Sequence, residues 1–205
     1  NRGFGQQYLV LDALATGRFV APADSFARAR LAELATGDTV ISYDLWLAGS
    51  WAARRGQQQE QLRAAADRLT ESARGAHGDR VVSLLARSLA AQQTLSRGDT
   101  AGAIRQLGAL APNVTETNLL AWQPWESLGY ERLLLTDLLL ARRRYPEALR
   151  VAAGFDAPAP VAYGMYLPAI LTLRARAADA WDEQALARKC RTRITEVRGT
   201  LDEMR

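Results

Sequence analysis

Apolar residues recur along this chain at three- and four-residue intervals rather than in alternation. Tyr8, Leu11 and Ala15 form one such series, and Leu45, Ala48 and Ala52 a second. Val82, Leu85 and Leu89, then Leu135, Leu138 and Leu139, then Ile170, Leu173 and Ala177 complete the set. This spacing gathers apolar side chains on one face of a helix with 3.6 residues per turn. A short break follows each series, at 17–19, 56–58, 98–100, 143–145 and 181–183, and a second amphipathic stretch follows each break. The pattern therefore predicts five helical hairpins, about ten helices, and an all-α fold. The nearest thing to a strand, residues 38–43, runs straight into the helical spacing of Leu45, Ala48 and Ala52.

The breaks recur about every 41 residues, which is the mark of a stacked repeat rather than a unique bundle. Their chemistry suits helix ends. Gly17, Gly56 and Gly98 can adopt the left-handed conformation that stops a helix, and Pro146 stands where a first turn needs no N–H. Hairpin units are expected at about 3–37, 39–75, 80–112, 126–155 and 162–198, as one domain over 1–205. Longer connections fall at 75–78, 111–124 and 154–164. The triplet Asn113, Val114, Thr115 has the form of a glycosylation sequon and is read as a turn before a helix.

Particular residues narrow the repeat. In the fourth unit Leu135 and Leu139 precede Tyr145, Pro146, Glu147, Ala148, Leu149 and Ala152. In the third, Gly98 and Asp99 precede Ala103, Ile104 and Leu107. Gly17, Phe19, Phe26 and Ala29 mark the first, and Ala48, Gly49 and Gly56 the second. Small residues let helices approach closely, an aromatic follows the turn, and large apolar residues fill the space between hairpins. The combination resembles the tetratricopeptide repeat (TPR), although the period exceeds the family's usual 34 and Arg143 and Trp181 stand where the first three turns carry glycine. The resemblance implies a right-handed α-solenoid. It extends to the divergent TPR-like regions beside the effector domains of bacterial serine/threonine kinases, adenylate cyclases and transcription activators.

The same resemblance implies an inner wall built from the first helix of each hairpin. Its positions are occupied by Phe4 and Gln7, by Tyr43, Trp46, Ser50 and Arg54, by Ser88 and Gln92, and by Tyr130 and Asp137. Tyr43 and Trp46 would anchor an apolar group, with Arg54, Gln92 and Asp137 orienting polar ones. Ordinary packing between hairpins is the alternative for Tyr43 and Trp46. Members that clamp a peptide's terminal carboxylate use Lys and Asn on this wall, and Trp46, Ser50, Ser88 and Gln92 argue against that role. Trp122 and Trp125 flank Gln123 and Pro124 in a linker, as a partner anchor or as residues that bury the loop on its own array.

Composition removes most chemistry. Of 205 residues, 38 are Ala and 30 Leu, consistent with helix. One Cys, Cys190, and one His, His77, exclude a disulfide framework and paired-imidazole or Cys-based metal sites. No phosphate-binding glycine loop, zinc-protease helix or nucleophile elbow is present. Glu126, Glu131 and Asp137 lie near Trp125 in sequence with no base or nucleophile beside them, and Arg188, Lys189 and Arg191 around Cys190 would lower a thiol pKa. The charge of +4 comes from 25 Arg and one Lys interleaved with 22 acids, without a basic stripe for nucleic acid. Arg over Lys with abundant Ala points to a GC-rich bacterial genome. No run of 18 apolar residues spans a membrane, and a start at Asn1 without a leader reads as a piece of a longer protein.

The expectation is a non-catalytic, cofactor-free protein- or peptide-binding domain of a bacterial signalling or regulatory protein. It would sit in the cytoplasm, with an extracytoplasmic position in a membrane-anchored protein left open. A self-association or scaffold module is the alternative, and a small-ligand sensor or all-helical enzyme with a pocket near Trp122, Trp125 and Tyr130 is a second.

Overall fold

A computed structural model of the protein describes residues 2–37, 40–56, 58–75, 80–111, 128–156 and 164–203. Among the described residues the structure is all-helical, with ten α-helices, one 3-10 turn and no strand. Contacts gather into two compact units, Asn1–Thr115 and Glu116–Arg205. No helix of the described residues is long and apolar enough to cross a membrane.

The first unit contains α1 (Arg2–Thr16), α2 (Ala21–Thr36), α3 (Ser42–Arg55), α4 (Gln59–Gly75), α5 (Arg80–Ser96) and α6 (Thr100–Gly108). Consecutive helices pack together, and α1 also packs on α3 and α3 on α5. Gly56 ends α3 at φ +69°, its N–H donating to the carbonyls of Ala52 and Ala53. At the other kind of end, the Asp99 carboxylate accepts from the Gly102 N–H at 2.7 Å and caps α6, a contact that contributes about 1 kcal/mol. Every residue of α3 from Tyr43 to Ala52 is buried, because α1, α2, α4 and α5 all touch it. Gly49 makes this enclosure feasible: a Cβ there would stand 2.6 Å from a Leu89 methyl and 3.2 Å from Ala65 Cβ. Leu47, Leu62, Leu69 and Leu89 have no solvent exposure, and each contributes roughly 1.5–3 kcal/mol by leaving water.

Polar groups fasten α3 to the preceding hairpin. The Trp51 indole N–H donates to Asp24 Oδ1 at 2.7 Å, and Arg55 approaches Asp24 Oδ2 at 3.6 Å. The Arg55 guanidinium lies 5.1 Å from the Phe19 ring centre and 5.8 Å from that of Trp51. Buried Asp44 accepts from Gln7 Nε2 at 2.5 Å and faces Arg30 at 3.9 Å.

The second unit contains α7 (Gly129–Ala141), α8 (Tyr145–Ala152), a 3-10 turn (Ala153–Phe155), α9 (Leu167–Ala180) and α10 (Gln184–Glu203). Here α7 packs on α8 and α9, α8 on α9, and α9 on α10. Leu133, Leu134, Leu135, Leu139 and Leu140 are all buried, as the near-continuous apolar character of α7 requires. Pro146 lies in the first turn of α8. The two interhelical turns repeat the geometry of the Gly98 turn. Arg144 N–H reaches the Leu139 carbonyl and Glu183 N–H that of Ala178, just as Asp99 N–H reaches Thr94. The left-handed residue is Arg143 at φ +57° in one and Asp182 at φ +60° in the other. In the fifth turn this position thus falls one residue after Trp181, because the hydrogen-bond pattern rather than the end of the apolar series sets it.

Candidate functional site

The structure brings together five of the ten residues assigned to the inner wall, Tyr43, Trp46, Ser50, Ser88 and Gln92, but inside the protein. Tyr43 and Trp46 stack with ring centres 5.6 Å apart and planes 16° apart. The Trp46 indole N–H donates to Ser88 Oγ at 2.9 Å, and Gln92 Nε2 donates to Ser50 Oγ at 2.9 Å and to Ser88 Oγ at 3.4 Å. Trp46, Ser50, Ser88 and Gln92 are each 2% exposed or less, and Tyr43 is buried. The packing reading of Tyr43 and Trp46 is therefore the one realised, and Ser50 and Gln92 belong to the same polar seam between α3 and α5. The first helices of successive hairpins meet so closely that these positions face one another rather than an open wall. Gln92 Oε1 is buried with no hydrogen-bond partner among the described residues, an unpaired acceptor that costs about 1–3 kcal/mol.

The remaining residues do not join this seam. Arg54 is exposed at the end of α3, where its guanidinium reaches toward the Gly17 turn. Tyr130, buried, and Asp137, half-buried, are on α7 in the second unit. Trp122, Trp125, Glu126, His77 and Asn113 lie outside the described residues, as does the side chain of Phe4. Glu131 is buried on α7. Cys190 packs with Leu171 and Ala175 beside Leu167, Leu186 and Ile194. Burial pushes its thiol pKa up and outweighs the cationic Arg174, Lys189 and Arg193, so the basic neighbours do not produce the thiolate their sequence positions suggest. Among the described residues no group of three or more His, Cys, Asp and Glu could hold a metal ion.

One concave feature was not anticipated. An open groove of about 470 Å³ runs between α4 and α5, lined by Thr70, Ala73 and Arg74 from the first and by Ser83, Ala86, Arg87 and Ala90 from the second. Alanines at 73, 86 and 90 end at Cβ, so the junction of the two helices stays recessed where longer side chains would fill it. Both arginines are exposed. Arg87 is held in place, its Nη2 donating to the Ala109 carbonyl at 2.9 Å just past the end of α6. On α4 the nearby acids are engaged along their own helix, Asp67 with Arg63 at 3.7 Å and Glu71 with Arg68 at 3.0 Å. On α5 there is no acidic residue at all. The sequence signal was the row Ser83, Ala86, Ala90, which puts small residues on one face of α5 with Arg87 beside them. The groove can receive a short apolar group on its alanine floor and a carboxylate or phosphate at its rim.

Comparison of the chain with family models, with curated proteins and with solved structures finds no match.

Proposed function

We propose that the chain is a non-catalytic helical-repeat module, a TPR-like α-solenoid that binds a protein or peptide within a bacterial signalling or regulatory protein. The observation that carries this reading is the packing order. Each first helix of a hairpin packs on the next first helix within its unit, α1 on α3, α3 on α5 and α7 on α9. Stacking of this kind builds extended surfaces rather than an enclosed reaction chamber, and solenoids use such surfaces for partners. The test is affinity capture with the full chain followed by calorimetric titration of each purified interactor. Saturable binding of at least one protein is expected. Failure of all of them to bind, with thermal stabilisation by a small metabolite, would replace this reading with a ligand sensor.

Self-association is a second reading that one observation favours. Tyr8 and Leu9 on α1 are 50% and 38% exposed. They stand nine and eight residues before Gly17, as Leu47 and Ala48 stand before Gly56, and those two have no exposure. The positions that a preceding hairpin covers on α3 are bare on α1, and a second copy would cover them. Sedimentation over a range of concentrations decides it. A dimer abolished by Tyr8→Glu supports this version, and a monomer throughout removes it.

A further inference from the structure

The geometry points to the α4–α5 groove as a docking site for an internal acidic segment of a partner protein, one that places a short apolar side chain against Ala73, Ala86 and Ala90 and carboxylates on Arg74 and Arg87. This rests on the binding-module reading and adds to it a place and a partner chemistry. Three observations support the occupant. First, three of the seven lining residues are alanines, with Thr70 and Ser83 as the neutral polar ones, so the apolar part of the groove is made of methyl groups and suits a small apolar residue. Second, the charge at the rim is of one sign: Arg74 and Arg87 line the groove, Arg80 lies seven residues before Arg87 on the same face of α5, and α5 carries no acid. No ion pair joins any of the three to a described acidic residue, whereas Arg63 and Arg68 on α4 are engaged. Third, the Ala109 carbonyl already fixes the Arg87 guanidinium, so little side-chain freedom is lost when its remaining N–H groups bind a carboxylate.

A protein segment fits better than nucleic acid. The groove lining carries only two cations, Arg74 and Arg87, and no aromatic ring on which a base could stack.

The probe is a fluorescein-labelled peptide of alternating glutamate and alanine, acetylated and amidated so that no terminal carboxylate contributes. Its anisotropy is followed as the full chain is added at low salt. A glutamine–alanine peptide and a thymidine oligonucleotide of equal length serve as comparisons. Saturable binding of the glutamate peptide, weakened at higher salt, is expected, with the glutamine peptide at least about tenfold weaker. Arg74→Glu, which breaks no side-chain hydrogen bond or ion pair among the described residues, should weaken it by a similar factor. Ala90→Leu should do so by filling the floor, with the helical circular dichroism of both variants unchanged. The inference is overturned if the glutamate peptide fails to bind, if either variant binds it as well as the parent, or if the oligonucleotide binds as tightly and displaces it. A natural partner that binds both variants undiminished would overturn the groove assignment while leaving the binding-module reading in place.

Discussion

Gly49 shows how one residue can set an interhelical distance. Alanine there would gain about 1 kcal/mol of helix propensity, but its methyl would press on Leu89 and Ala65 in a fully enclosed interface. Overpacking of this kind costs roughly 1–3 kcal/mol, so Gly49→Ala is expected to destabilise the first unit by about 1 kcal/mol in urea titration. The close approach at Gly49 was legible in the sequence, since the resemblance to a helical repeat places a close helix contact at that position. The roles of Trp46, Ser50 and Gln92 were not. A side chain on the first helix faces a ligand or a neighbouring helix depending on the rotation between hairpins, and periodicity carries no information about that rotation. Cys190 teaches the same lesson. Its cationic sequence neighbours suggest activation, but burial dominates and raises the thiol pKa. Iodoacetamide at mildly alkaline pH should therefore modify Cys190 far more slowly in the folded chain than in denaturant, with the folded rate rising as the pH approaches the raised value.

At the scale of the element, helix ends were the most readable features, and the turns show why. Gly56 and Gly98 occupy left-handed positions that cost them little. Arg143 and Asp182 occupy equivalent positions without that freedom, and the backbone hydrogen bonds to Leu139 and Ala178 hold them there. Arg143→Gly should raise the stability of the second unit by about 0.5–1 kcal/mol, read as a higher urea midpoint with unchanged slope. A fall in stability would mean that the Arg143 side chain contributes a contact worth more than the strain. Beyond this turn, Arg144 donates to both Glu147 oxygens and holds that carboxyl below its usual range. This local clasp spans the first turn of α8 next to Pro146. The row of alanines facing the α4–α5 groove is equally visible in sequence, but that it stays open rather than being filled by a third helix is not.

For the whole molecule, the proposed solenoid makes a quantitative demand. In a linear array each hairpin contributes its own stability and an interface term, so removing a terminal hairpin trims the structure instead of collapsing it. Deleting residues 1–37 should leave a helical chain whose urea m-value falls roughly in proportion to the surface lost. Loss of all cooperative unfolding would instead indicate a single inseparable core. By itself, the spacing of apolar residues and turn formers determined that the chain is helical and where its helices reverse, because these depend on contacts between residues three to five apart. The tertiary structure decided which faces are covered. It turned the expected wall of Tyr43, Trp46, Ser50 and Gln92 into a buried seam, divided the contacts into two units, and left Arg74 and Arg87 beside an open floor of alanines. Those outcomes depend on how helices distant in sequence rotate and approach, where a single glycine or the reach of one arginine outweighs any pattern along the chain.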